Sequence, residues 1–122
     1  MTARAAATLG ALSAAMGVVL GAFGAHALRT RLDPRDLETF ETAVRYQMYH
    51  AFALLAAAAL LNRGINQASG AAWAFAIGTV LFSGSLYGLV FTGERWLGPL
   101  TPLGGAAFIA GWVMLALAAR RI

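Results

Sequence analysis

The chain has 122 residues, 60% hydrophobic and 11% charged, where soluble domains average about 45–50% and 25%. One domain of this size has too much surface for its volume to hide that apolar fraction from water, so its solvent is lipid. With no cysteine, disulfides, thiolate metal sites and a cysteine nucleophile are excluded. The net charge of +4 rests on nine arginines, which sit at the ends of apolar runs as interface anchors and not in a nucleic-acid patch.

Charged residues divide the chain into four apolar runs: Ala5–Leu28, Tyr46–Asn62, Gly64–Gly93 and Leu97–Ala119. A bilayer core of about 30 Å needs about 20 helical residues, so the fold expected is an all-α, integral-membrane four-helix bundle in a single domain. Its helices fall at roughly 5–28, 34–62, 69–91 and 102–120. Arg4, an apolar stretch and Ala25-His26-Ala27 imitate a secretory signal. The run exceeds the usual apolar core of about 7–15 residues, so it is read as a membrane helix.

That first helix places Gly10, Ala14, Gly17, Gly21 and Gly24 at alternating spacings of four and three. Small residues then share one face, with GxxxG at 17–21, and in lipid close backbone approach is what drives helix association. The stripe suits packing within one bundle and also permits a homo-oligomer. Asp33-Pro34 is a cap followed by a proline suited to the first helical position, and Asp36 and Glu38 follow where the helix dipole favours anions. The second helix therefore starts well before its charge-free part, and its first turns form an amphipathic interfacial segment between helices 1 and 2. Thr101-Pro102 repeats the start signal for the last helix.

With four passes, both termini and the Arg63 loop share one side with Arg4, Arg63, Arg120 and Arg121, and the other side holds five arginines and all five acids. Arginine count does not fix orientation, and acids contribute little to the rule. The termini are taken as cytoplasmic.

The second helix enters the membrane with polar groups. Glu41 and Arg45 are four apart in the favourable order for an ion pair, as are Tyr46 and His50, and Arg45 and Tyr49. Arg45, Tyr46, Tyr49 and His50 make a polar strip that the sequence places at the membrane entrance. His26 ends the first helix, so antiparallel pairing is expected to set the two histidines at similar depth. Snorkelling arginine and interfacial tyrosine explain such a strip structurally. Costly ionisable groups near lipid also mark functional sites. Three chemistries fit: a proton relay through His50, Tyr46 and Glu41; an anion or lipid headgroup held by Arg45, His26 and His50; and, last, a metal on His26, His50 and Glu41, for which the spacing is poor. No HExxH, P-loop or GxSxG motif is present, so an enzyme is not the favoured reading, and no cofactor or metal is called for. Trp112 falls mid-helix and reads as packing.

GAFGAHAL at 21–28, LETFETAVRYQMYHAFALL at 37–55 and PLTPLGGAAFIAGW at 99–112 resemble the small bacterial inner-membrane proteins of the YgdD type. The resemblance spans the chain. It implies a multi-pass helical protein of uncharacterised function in the inner membrane, with no enzyme assignment, cofactor or established site. Its motifs cover His26, Glu41, Arg45, Tyr46, Gln47 and His50. The function expected is binding of a membrane lipid or small molecule at this cluster, as a transport or assembly accessory. The alternatives are a proton-relay or enzymatic protein using His50, and a purely structural membrane protein.

Overall fold

The computed structural model describes residues 1–122. The chain is all helical, with α1 at Ala3–Ala25, α2 at Pro34–Asn62, α3 running from Ala68 to Thr92 and α4 at Leu100–Ala119. Three segments, α1, α3 and Arg95–Ala119, are long and apolar enough to cross a membrane. Large apolar side chains such as Leu12, Met16, Val18, Val80, Leu103 and Ile109 stay exposed on them, as lipid-facing surfaces require.

Helix α2 begins as its sequence directs. Asp33 Oδ1 accepts the Asp36 N–H at 2.8 Å, and Pro34 takes the first position. Its 29 residues extend about 43 Å, more than the apolar core, so its first two turns project beyond the span. Arg45, Gln47 and His50 dilute its apolarity. It nevertheless packs antiparallel to both α1 and α3 and shares their depth.

Glycines set the close contacts. A Cβ on Gly10 would come 2.9 Å from Ala51 O, one on Gly24 2.9 Å from a Phe40 ring carbon, and one on Gly17 would collide with Met48 Sδ. Gly21 is looser, 3.5 Å from Val44 Cγ1, and Ala14 is half-buried. The α1 stripe is thus occupied by α2 of the same chain. Helices α3 and α4 pack as tightly through Gly78, Gly104 and Gly111 against Phe108, Phe82 and Phe75.

Two features depart from the sequence reading. Midway through α3, Val80–Gly84 form a π turn, which inserts one residue and rotates the rest of the helix. Helix α4 starts at Leu100, after a 3-10 turn at Arg95–Leu97, and Thr101 does not cap it. The Thr101 hydroxyl is taken instead by Ser85 Oγ across the helix pair, at 2.6 Å.

Candidate functional site

The register of α1 on α2 fixes the depth of the histidines. Gly24 lies on Phe40 and Gly17 on Met48, so His26 stands level with about residue 38 of α2. His50 is about twelve residues further along, about 18 Å deeper at 1.5 Å per residue. The two histidines do not share a depth. The antiparallel register counts from the start of α2 at Pro34, and not from where its charges cease. His26 is exposed at the end of α1, whereas His50 is only 3% exposed near mid-span.

Both ring nitrogens of His50 are occupied. Trp112 Nε1–H approaches Nε2 at 3.1 Å, and Nδ1 lies 2.6 Å from the Tyr46 carbonyl. An indole N–H can only donate and a carbonyl can only accept, so Nε2 is the acceptor and Nδ1 carries the proton. This defines a neutral imidazole tied to α2 on one side and α4 on the other. The ring also stacks on Phe108, with centroids 3.4 Å apart and planes 3° apart.

The other cluster members divide between two faces of α2. Tyr46 packs on Phe82 with ring centroids 4.6 Å apart, and Tyr49 is half exposed beside it. With His50 they line a cleft of ≈ 520 Å³ between α2 and α4, walled further by Phe82, Gly105, Phe108, Ile109 and Trp112. Gln47 points the other way. Its Nε2 donates to Ser13 O at 2.9 Å and its Oε1 accepts from Tyr87 Oη at 2.7 Å, so one amide ties α1, α2 and α3. Ser83, inside the π turn, donates to Ala43 O at 2.7 Å.

Glu41 and Arg45 are exposed and do not form the expected ion pair. Arg45 Nη2 donates instead to Thr42 Oγ1 at 3.1 Å. An exposed pair at this spacing gains little over hydration, so the nearer hydroxyl suffices. Tyr46 reaches His50 through its backbone carbonyl and not its phenol, so Glu41, Tyr46 and His50 make no continuous side-chain proton path. No three His, Asp or Glu side chains converge; His26, Glu41 and His50 are held apart.

Trp112, Tyr87, Ser13 and Ser83 are the partners that sequence reasoning missed. Trp112 was accessible in principle, because an indole N–H inside an apolar span needs an acceptor and His50 is the one imidazole at that depth.

The helices and their glycine contacts define an integral-membrane helical bundle with a polar tie near mid-span and an aromatic cleft beside it. A family model described as "Protein of unknown function (DUF423)" matches residues 20–105, and the chain belongs to that family. The UPF0382 membrane protein YwdK of Bacillus subtilis (strain 168) is 47% identical over 113 residues, covering 91% of this chain and 92% of that protein. The UPF0382 membrane protein SH2409 of Staphylococcus haemolyticus is 46% identical over 107 residues, 88% of each chain. That of Staphylococcus epidermidis (strain ATCC 12228 / FDA PCI 1200) is 44% identical over 110 residues, 90% of each. The resemblance drawn from the sequence holds at the level of a membrane-protein family of unknown function; the relatives found carry the UPF0382 designation. No solved structure matches the chain.

Proposed function

We propose that the protein is a lipid-binding accessory of the cytoplasmic membrane that takes an acyl chain into the cleft between α2 and α4. The observation that carries this reading is the cleft itself. Its ≈ 520 Å³ falls within the range of about 300–1,000 Å³ that ligand sites occupy. Its walls are mostly aromatic, and Tyr49, Ile109 and Trp112 among them are exposed on the lipid-facing surface, where a chain enters from the bilayer. Arg45 lies one turn towards the interface from Tyr49, exposed and without an acidic partner. It supports a headgroup phosphate by a charge-assisted hydrogen bond. In this reading His50 is a positioning residue that holds Trp112 and Phe108 as the cleft wall, because both its nitrogens are already engaged. His26 takes no part.

Gly105→Leu tests the proposal. A Cβ there meets nothing nearer than Phe82 Cδ2 at 4.0 Å, so the longer side chain fills the cleft without displacing a helix. Native mass spectrometry in mild detergent, after reconstitution with excess phosphatidylglycerol, is expected to show one lipid adduct fewer on Gly105→Leu, and a weakened adduct on Arg45→Gln. An unchanged adduct pattern in both folded variants would refute the site.

A further inference from the structure

The opposite end of the bundle carries a charge asymmetry that the α2–α4 cleft does not use. Antiparallel packing brings Arg4, Arg63, Arg120 and Arg121 to the end where α1 starts and α4 stops. All five acids (Asp33, Asp36, Glu38, Glu41 and Glu94) lie at the other end. The Met1 amine, 2.6 Å from Ser69 Oγ, confirms that α1 and α3 begin together. Of the nine arginines, Arg45 alone donates a side-chain hydrogen bond within the chain, so the four guanidinium groups at this end have no internal acceptor.

Two of them flank a depression of ≈ 360 Å³ formed by Gln67, Leu117, Arg120 and Arg121. Gln67 precedes α3, and its side-chain amide makes no bond within the chain. The depression therefore offers two guanidinium forks and a neutral amide donor, with no carboxylate side chain among its walls. That donor set suits a phosphate, which Arg engages in bidentate fashion. Its remaining wall is Leu117, 55% exposed, which continues along α4 into Met114 and Val113, themselves 41% and 56% exposed. A free phosphate has no use for that apolar strip, whereas the tail of a lipid lies along it.

The plainest account of terminal arginines is general anchoring in the headgroup layer. It predicts that any arginine pair at either end counts alike. We propose instead that Gln67, Arg120 and Arg121 form a site for the phosphate of an anionic phospholipid whose tail follows Leu117 and Met114. The site is separate from the α2–α4 cleft and places the arginine-rich end, which has no acidic side chain, at the anionic leaflet.

The test uses the full chain in detergent micelles doped with phosphatidylglycerol, with phosphatidylcholine or with inorganic phosphate, read by native mass spectrometry and lipid titration. Wild type is expected to retain phosphatidylglycerol over phosphatidylcholine. Arg120→Gln with Arg121→Gln is expected to lose about thirtyfold in that affinity, while Arg29→Gln with Arg31→Gln at the far end loses less than threefold. In a Gly105→Leu background, where the cleft adduct is removed, the Arg120 and Arg121 substitutions are expected to cause the same loss of about thirtyfold in the remaining adduct, so failure of the cleft reading and failure of this one are distinguishable. Gln67→Glu, which adds an acidic group without removing an arginine, is expected to weaken binding in a chain that elutes as wild type. Equal losses from both arginine pairs would overturn the site in favour of general anchoring. Displacement of the lipid by millimolar inorganic phosphate, or equal retention of both lipids, would overturn the anionic-lipid assignment.

Discussion

Gly104 and Gly105 are neighbours on α4 with opposite surroundings, and replacing each by alanine measures how α4 sits on the π turn. A Cβ on Gly104 would lie 2.7 Å from Phe82 Cβ and 2.8 Å from Phe82 Cα, and it would collide with Phe82 N. Carbon atoms settle at about 3.5–4.0 Å, so α4 must retreat by about 0.8 Å. Much of the obstacle is backbone, so no rotamer change relieves it. The retreat also loosens Gly78 on Phe108 and Gly111 on Phe75, where a Cβ on either glycine would come within 2.6 and 2.7 Å of the ring carbons. A gap of about 0.5–1 Å forfeits about a quarter to a half of each contact's attraction, and overpacking costs about 1–3 kcal/mol. On Gly105 the nearest atom is 4.0 Å away, an ordinary contact. Both substitutions change helix propensity equally, so their difference isolates the contact. Unfolding in mixed micelles with increasing dodecyl sulfate, followed by circular dichroism, is expected to place Gly104→Ala about 2–3 kcal/mol below Gly105→Ala, a factor of about 30–150 in the folded ratio. Equal midpoints within about 0.5 kcal/mol would refute the described docking of α4.

On α1 the same logic orders three alanine substitutions: Gly10→Ala meets a backbone oxygen, Gly24→Ala a ring and Gly21→Ala only an ordinary contact. Stability loss in the same titration should fall in that order, and a loss at Gly21 matching Gly10 would contradict the register. A double-mutant cycle of Gln47→Leu and Tyr87→Phe should return coupling of about 0.6 kcal/mol and at most about 1.7; zero coupling would remove their 2.7 Å bond. His50→Phe keeps a ring on Phe108 but deprives the Trp112 N–H of its acceptor. The Nε1 proton resonance should shift upfield and the chain lose about 1–3 kcal/mol, whereas an unmoved resonance would count against the bond.

The parts of this fold that can be read from sequence are those where one residue type has one physical use. Asp33-Pro34 declares the start of α2 because an acceptor side chain and a missing N–H are what a helix start needs. What stays hidden depends on partners across helices. Charges stop at Arg45, which by sequence alone puts the strip around His50 at the membrane entrance, yet Phe40 on Gly24 sets the register and carries His50 to mid-span. Thr101 has the chemistry of a cap, but a hydroxyl goes to whichever partner packing supplies, here Ser85. The π turn at Val80–Gly84 leaves no local signature, since Ser83 and Gly84 suit a regular helix equally well.

That turn makes α3 a helix with two phases. Each residue advances an α-helix by about 100°, so one extra residue sets Ser85–Thr92 about that angle away from where an unbroken α-helix would carry them. The first phase presents Gly78 to Phe108, and the second presents Ser85 to Thr101 and Tyr87 to Gln47. Chain length within Val80–Gly84 is therefore information in itself. Removing one residue there would restore a regular helix and keep Ser85 and Tyr87 on their partners, whereas an unbroken α-helix of the present length would turn every residue beyond it to the wrong neighbour.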